Sequence, residues 1–319
     1  MPENPHAEPS VLFVVPSHNE GANISRTVQT LTSIARSRQK TTIAVVDDFS
    51  SDGSLDKLEQ SGLLKLFRTS TQLGVSSARN IGASMADADV LIFCDAHIET
   101  DRETVDTLAE AAFRNRSSIV SPGIGDVANP EIIRYGCTWK PGPQLTRSWY
   151  RYGRRRHSGA IKELEVPFAP GGFMCINREL FEQAGGFDES YRNHGEEDID
   201  FSLKVRRLGG LCIALDGTHV DHLFRPTLTF SHNRTDAIYN KLLLAYKNLD
   251  DQALYNLVES ARGDADVARE LHNLERSALS DERAEQTQAN IELTETLRKQ
   301  FQVPTTLPDQ PPSPGPTTY

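Results

Sequence analysis

Val90-Leu91-Ile92-Phe93-Cys94-Asp95-Ala96-His97 is the stretch that decides how this chain is read. Five apolar residues in a row predict a buried strand, and the polar residues that follow mark its carboxyl end. In open α/β sheets, ligands bind at that edge. A carboxylate and an imidazole two residues apart there can grip one divalent metal ion. Such an ion would neutralise a diphosphate and help it leave.

Working outward, the flanking sequence repeats a strand–helix alternation. Val11-Leu12-Phe13-Val14-Val15 is a continuous apolar run closed by Pro16, and Thr42-Ile43-Ala44-Val45-Val46 is a second, ending in Asp47-Asp48. Between them, Ile24, Val28, Leu31, Ile34 and Ala35 recur at helical spacing. Residues 54–63 and 76–86 are predicted as further helices, and 64–68 as a short strand. This order predicts an α/β fold with a mostly parallel central sheet. Strands are also expected over 119–125, 132–138 and 211–215. A further strand over 167–176 is interrupted by Gly171-Gly172. A short helix over 178–183 stops at Gly185-Gly186, and one over 197–208 stops at Gly209-Gly210. Residues 139–165 are polar and basic, with Trp139, Trp149, Tyr150 and Tyr152 interleaved. Within them, 147–162 reads as a basic loop.

The expected organisation is a flexible leader over 1–10, a catalytic domain over 11–235, a helical C-terminal extension over 236–302 and a disordered Pro-rich tail over 303–319. Apolar positions in 262–300 are sparse, so those helices read as surface or partner-facing. They offer either a surface for self-association or a cover for the catalytic sheet.

Composition narrows the function classes. The 319 residues carry a formal net charge of −10, which argues against general nucleic-acid binding. With 38% hydrophobic residues and a mean hydropathy of −0.46, a globular chain is expected. No apolar run approaches the roughly 18 to 20 residues of a membrane-spanning helix. A membrane-bound acceptor would therefore require peripheral docking. The N-terminus shows no signal-peptide pattern. Cys94, Cys137, Cys175 and Cys212 lack CxxC spacing and read as buried thiols of a reducing compartment, so a cytoplasmic location is expected.

Asp95 and His97 need a third ligand to make a metal site. His222, in Thr218-His219-Val220-Asp221-His222-Leu223-Phe224-Arg225, is the best candidate, with His219 as its rival. One carboxylate and two imidazoles suit Mn²⁺, with Mg²⁺ as the alternative. Asp47-Asp48 offer a carboxylate for a nucleoside or, more simply, turn chemistry with Ser50-Ser51-Asp52-Gly53. A dinucleotide site would want GxGxxG after the first strand. The chain has Pro16-Ser17-His18-Asn19-Glu20-Gly21 there instead. Gly171-Gly172 lets backbone approach a ligand or another strand closely. His194-Gly195-Glu196-Glu197-Asp198 puts three carboxylates at a helix start. Glu197 and Asp198 are the candidates to face acceptor and sugar, and a carboxylate there can take a proton from an acceptor nucleophile. Arg151, Arg154, Arg155, Arg156, His157 and Lys162 form a basic aromatic stretch that suits a lid or an anionic-acceptor site.

Six segments, in order over about residues 11–235, together resemble the nucleotide-sugar glycosyltransferases of family 2, which have the GT-A fold. They are VVPSHNEGANISRTVQTL, VVDDFSSDGS, LGVSSARNIGA, FCDAHIE, PGGFMCINRELFEQAGGFDES and HGEEDIDFSLKVRRLGG. Within that group the chain is similar to the polypeptide N-acetylgalactosaminyltransferases, which carry DxH where others carry DxD and a HVxHVFR-like segment matched by His219–Arg225. The resemblance implies Asp95, His97 and His222 as Mn²⁺ ligands. It implies a nucleotide-sugar site that includes Pro16, His18, Glu20, Asp47 or Asp48, Asp95, Ala96, Gly171 and Gly172. Arg79 would lie near the diphosphate, and Arg225 would touch the diphosphate or close the lid. In that family Trp-Gly-Gly-Glu-Asn stands where this chain has His194–Asp198. Residues beyond 236 lack the cysteines and aromatic β pattern of that family's lectin domain. The polypeptide N-acetylgalactosaminyltransferases retain configuration and need no enzyme base, whereas most family 2 enzymes invert with the Asp of a Glu-Asp pair as base, here Asp198; the resemblance leaves both outcomes open, and the Glu197-Asp198 pair favours inversion.

The expected function is metal-dependent transfer of a sugar from a nucleotide sugar, in this reading a UDP-hexose or UDP-N-acetylhexosamine, to an alcohol, amine or thiol acceptor on a small molecule, glycan or peptide. Two other classes remain: a nucleotidyltransferase that makes nucleotide sugars, whose Gly-rich basic phosphate loop is missing from 16–21, and a non-catalytic nucleotide-binding scaffold.

Overall fold

The computed structural model describes residues 8–56, 58, 62–155, 160–224, 233–277 and 279–301. In chain order the N-terminal half runs β1 (Val11–Ser17), α1 (Ala22–Ser37), β2 (Thr41–Asp47), β3 (Leu64–Arg68), α2 (Val75–Ser84), β4 (Val90–Cys94), β5 (Ile98–Glu99) and α3 (Arg102–Arg114). The middle adds β6 (Ser118–Asp126), β7 (Asn129–Trp139), β8 (Arg147–Arg154), β9 (Lys162–Glu165), β10 (Phe173–Asn177), α4 (Arg178–Gln183), α5 (Glu197–Arg207) and β11 (Leu211–His222). Four helices follow: α6 (Arg234–Asn248), α7 (Asp251–Ser260), α8 (Ala265–Glu275) and α9 (Leu279–Gln300).

The sheet order is β3-β2-β1-β4-β10-β6-β11-β5. Strands β3, β2, β1 and β4 are mutually parallel, β10 runs antiparallel to β4 and β6, and β11 is parallel to β6. Strand β1 is buried on both faces, as a continuous apolar run requires. Its residues alternate between two cores. Val11, Phe13 and Val15 pack with Ile24, Leu31, Val105 and Leu108 of α1 and α3. Leu12 and Val14 pack with Ala83, Leu180, Phe181, Phe201 and Val205 of α2, α4 and α5. Helices therefore cover both faces, and the carboxyl ends of β1, β2 and β4 open on one edge.

A third core joins the extension to the rest. Cys137, Trp139, Phe168, Tyr191, Ile199 and Leu203 pack there with Leu242, Leu243, Leu244, Val267, Leu274, Leu297 and Phe301. The C-terminal helices thus pack against the sheet-bearing part of the chain.

Three local expectations need correction. The helix expected over 54–63 is not formed among the described residues; Ser54–Asp56 make a turn. Arg68 Nη2 donates to the Leu55 carbonyl at 3.1 Å, taking an acceptor that a helix would use. The basic loop expected over 147–162 contains β8 and the first residue of β9, and β8 pairs antiparallel with β7. Its arginines and aromatics are amphipathic and range from half-buried to exposed, so no apolar alternation announces the strand. Strand β10 begins only at Phe173, and the 166–169 segment instead crosses to Cys137 through a bridge at Phe168. Residues 1–7, the tail from 302, Arg156, His157 and Arg225 lie outside the described residues.

Candidate active site

Asp95 follows β4 directly, and its N–H donates to the Gly172 carbonyl at 3.0 Å. His222 ends β11, where it pairs in register with Ile98 of β5. That pairing brings the end of β11 onto the Asp95–His97 turn. His222 Nε2 lies 3.1 Å from Asp95 Oδ2, and His97 Nε2 lies 4.0 Å from the same oxygen. One ligand atom from each of Asp95, His97 and His222 falls within 4.8 Å of the others. His97 Nδ1 lies 3.2 Å from Glu20 Oε2. A carboxylate on one ring nitrogen fixes the ring and leaves the other nitrogen for a metal. Burial would raise the Asp95 carboxyl, but the His222 hydrogen bond and the charges of His97, His222 and Arg79 hold it well below the usual carboxylate range. The site therefore carries a permanent anion with two imidazoles facing it, a donor set that fits Mn²⁺.

His219, the rival, is directed elsewhere. Three residues apart on a regular strand, His219 and His222 point to opposite faces. His219 Nε2 accepts from Arg155 Nε at 2.9 Å, and Arg155 also binds Asp221 at 2.5 Å.

The two glycines are required by space. A Cβ on Gly172 would stand 3.2 Å from Asp95 Oδ2 and 3.4 Å from His222 Cδ2. One on Gly171 would stand 3.0 Å from Arg79 Nη2 and 3.1 Å from Asp198 Oδ2. Arg79, on α2, is 1% exposed, so it works from behind the surface. It donates to Glu197 Oε1 at 2.8 Å and to the Gly171 carbonyl at 2.9 Å, with Asp95 Oδ1 3.8 Å away. Glu197 is thereby committed to Arg79, and its other oxygen accepts the Gly195 N–H at 2.7 Å.

Asp198 is equally committed. Arg147 of β8 donates to both its oxygens, at 2.5 and 3.1 Å, and the Gly171 N–H donates at 2.7 Å. Burial works to raise this carboxyl, but Arg147, then Arg79 and the Gly171 N–H, hold it low.

At the ends of β1 and β2, Asp48 accepts the N–H groups of Leu73 and Gly74 at 2.6 and 2.9 Å. Asp47 accepts the Ser50 N–H at 2.8 Å and pairs with Arg68 at 3.1 Å. Both side chains thus shape the turns of this edge. His18 Nδ1 lies 2.6 Å from the Asp48 carbonyl, one residue beyond the end of β1 that holds Pro16. Ala96 is buried beneath the turn.

Two residues of the site escaped the sequence reading of individual roles. Arg147 stands at the start of the basic aromatic stretch, but only the β7–β8 pairing aims it at Asp198. Glu196 was visible as a carboxylate, yet its left-handed φ of 69° and its placement beside Asp198 and Arg147 have no sequence signal.

Residues 12–185 match the family described as Glycosyl transferase family 2, and residues 162–225 match the N-terminal domain of galactosyltransferase. Human polypeptide N-acetylgalactosaminyltransferase 10 is 30% identical over 235 residues, covering 70% of this chain and 39% of that protein. This chain thus spans about two-fifths of that relative's length. The crystal structure of GalNAc-T7 with UDP, GalNAc and Mn²⁺ superposes with a TM-score of 0.66 at 19% identity, covering 94% of this chain and 59% of the other. The mannosyltransferase PcManGT of Pyrobaculum calidifontis, in complex with GDP-Man and Mn²⁺, superposes at 0.53 with 17% identity, covering 92% and 80%. These likenesses show the GT-A-like fold. With the family match spanning more than half of its 319 residues, the chain belongs to glycosyl transferase family 2.

Proposed function

We propose that this protein transfers a sugar from a nucleotide sugar to a hydroxyl, amine or thiol acceptor, in a metal-dependent reaction. The observation that carries this is the convergence of Asp95, His97 and His222 beside the side-chain-free Gly171-Gly172 backbone at the carboxyl edge. In this reading Asp95-Ala96-His97 works as a DxH motif, and the three ligands hold Mn²⁺. The ion, when bound, supplies positive charge to the diphosphate that leaves. The chain's own residues do the rest. Glu20 orients His97. Arg79 fixes the Gly171 carbonyl and Glu197, so the backbone that borders the donor keeps its place. Asp47, Asp48 and His18 hold the turns where the nucleoside would lie. UDP is the nucleotide favoured, supported by the UDP in the GalNAc-T7 structure and by the similarity to the human transferase. Four free, buried cysteines support the cytoplasmic placement expected from the sequence. No helix among the described residues is long and apolar enough to cross a membrane.

Calorimetric titration of UDP into the protein, with Mn²⁺ and then with excess chelator, tests this reading. Binding is expected only with Mn²⁺. His222→Ala is expected to weaken it at least about tenfold, as loss of one metal ligand should, while circular dichroism stays unchanged. UDP affinity that ignores both chelator and His222→Ala would refute the metal site. Mn²⁺-dependent binding with no turnover of any nucleotide sugar would turn the assignment to a non-catalytic nucleotide-binding protein.

A further inference from the structure

The basic aromatic stretch suits, from its sequence, either a lid or an anionic-acceptor site, and the structure separates the two. Strand β8 pairs with β7 from Arg147 opposite Trp139 to Arg154 opposite Ile132. Its Trp149 and Tyr150 pack against the cores. A strand held by its backbone and its aromatics is not a lid. The charge on it remains to be explained. Residues 129–165 carry eight basic side chains against three acidic ones, in a chain of net charge −10. Arg147 is spent on Asp198 and Arg155 on Asp221. Arg134 and Arg154 are not spent in this way.

Arg134 of β7 is 5% exposed, and its Nη1 is buried with no hydrogen-bond partner. The Asp126 carboxylate stands 4.0 Å from its Nη2. A buried guanidinium short of partners is costly enough in a native protein to call for a reason. Arg154 is exposed, and among the described residues it has no carboxylate partner. The two are diagonal neighbours, since Arg134 pairs with Tyr152 and Arg154 with Ile132. Diagonal positions on one face of an antiparallel pair stand about 7–8 Å apart. Two like charges so placed repel each other until an anion lies between them. Printed contacts tie this pair to the metal group. The Arg134 guanidinium covers the Phe224 ring at 5.1 Å, and that ring lies 4.4 Å from the ring of His222. Trp149 meets the same Phe224 ring edge-on at 6.2 Å.

We propose that the acceptor carries an anionic group, a phosphate, sulfate or carboxylate, that binds at Arg154 and Arg134 beside Phe224. This rests on the glycosyl-transfer reading above and names the acceptor's chemical class. Arg154, exposed, makes the direct contact, and Arg134 adds its charge from beneath. The donor diphosphate is the other source of the same chemistry, but in that reading the metal at Asp95, His97 and His222 takes it. Phe224 is the shared neighbour of His222 and Arg134, so the acceptor's charge is held one ring away from the metal. Its reactive hydroxyl, amine or thiol is then brought to the donor without setting two anions side by side.

The test uses the full chain saturated with Mn²⁺ and UDP, so that the donor site is filled. Matched probes are then titrated: glucose 6-phosphate, galactose 6-sulfate and glucuronate against glucose and galactose. Trp149, in contact with Phe224, reports binding by its fluorescence. The charged probes are expected to bind at least about tenfold more tightly than the neutral ones, the scale of one charge-assisted hydrogen bond. Arg154→Gln and Arg134→Gln are each expected to remove most of that advantage, and Arg154→Lys to keep part of it. Added salt should shrink it in the wild type. Arg134 is buried, so circular dichroism checks its variant, and Arg154→Gln decides by itself if Arg134→Gln does not fold. Equal binding of charged and neutral probes, no binding of any charged probe, or an advantage that survives Arg154→Gln overturns the proposal. Inorganic phosphate that binds as tightly as glucose 6-phosphate would mark an adventitious anion only and overturns it too. A fall in Mn²⁺-dependent UDP affinity in Arg154→Gln would assign the arginines to the donor diphosphate instead. Wild type that fails to bind UDP with Mn²⁺ would remove the underlying reading.

Discussion

Three consecutive carboxylates, Glu196, Glu197 and Asp198, meet three different environments. Glu197 lies against the Arg79 guanidinium and Asp198 against that of Arg147, while Glu196 Oε2 is left without a partner. Sequence showed that acids cluster there, since HGEED is plain to read. It could not show which arginine reaches which acid, because Arg79 is 118 positions from Glu197 and Arg147 is 51 from Asp198. The metal residues were legible for the opposite reason. Asp95 and His97 sit on one short turn, and the end of an apolar run identifies the sheet edge. The state of Glu196 has a consequence for stability. Its carboxyl ionises near 4.5 in an open chain and near about 7 in the fold. Between these values the unfolded chain gives up its proton while the folded one keeps it, so stability falls as pH rises and the penalty is complete above the folded value. Glu196→Gln removes that penalty. Its melting temperature should exceed that of the wild type by a margin that widens from about pH 5 to about pH 8. Calorimetric scans at the two pH values check this, and a margin that stays constant or narrows would mean that Glu196 is not held protonated.

At the scale of elements, the segment before α5 owes its shape to its neighbours. Asn193 and Glu196 both have positive φ, at 48° and 69°. The Asn193 carbonyl accepts the Val75 N–H at 2.7 Å, and a Cβ on Gly74 would come within 2.9 Å of the Asn193 nitrogen. From the other side, Asn240 of α6 is fully buried and serves as a clamp. Its Oδ1 accepts the Arg192 N–H at 2.8 Å, and its Nδ2 donates to the carbonyls of Arg192 and Gly195 at 2.8 and 3.0 Å. Side-chain bonds of this kind take over the role that regular structure plays elsewhere. Asn240→Ala leaves several of these backbone groups unpaired, and should cost about 1–3 kcal/mol. Urea unfolding measures the loss, and an unchanged midpoint would show that Gly74 and Asp236, whose Oδ2 accepts from Asn193 Nδ2, hold the loop by themselves. Helices such as α1 and α5 were legible from periodicity and from glycine stops. Strand β8 was not, because its register is written in β7 and its own arginines and aromatics range from half-buried to exposed with no apolar alternation.

For the whole molecule, the question is whether the C-terminal helices and the sheet are one cooperative unit. The sparse apolar positions of 262–300 read as surface or partner-facing, able to self-associate or to cover the sheet, because a narrow stripe does not name its partner. That partner is the β7–β8 hairpin with α5. Tyr150 packs edge-on against Phe301 at 5.4 Å and Arg206 of α5 covers the same ring at 5.5 Å, while within the C-terminal helices Asn290 of α9 donates to the Lys247 carbonyl of α6 at 2.9 Å. Because the third core draws residues from both parts, damage on one side should be felt on the other. Leu243 of α6 is fully buried within it. Leu243→Ala should destabilise the whole chain by about 2–5 kcal/mol, the cost of truncating a core leucine. The natural probes are already in place, since Trp139 and Trp149 both pack at this core while circular dichroism follows every helix. For a single unit, tryptophan fluorescence and circular dichroism should trace coincident urea transitions, in wild type and in Leu243→Ala alike, with the variant shifted to lower urea and its slope unchanged. Fluorescence that moves before the dichroism would mean that the helices undock first. The clamp on Glu196, which α6 carries, would then be a reversible contact rather than part of the folded core.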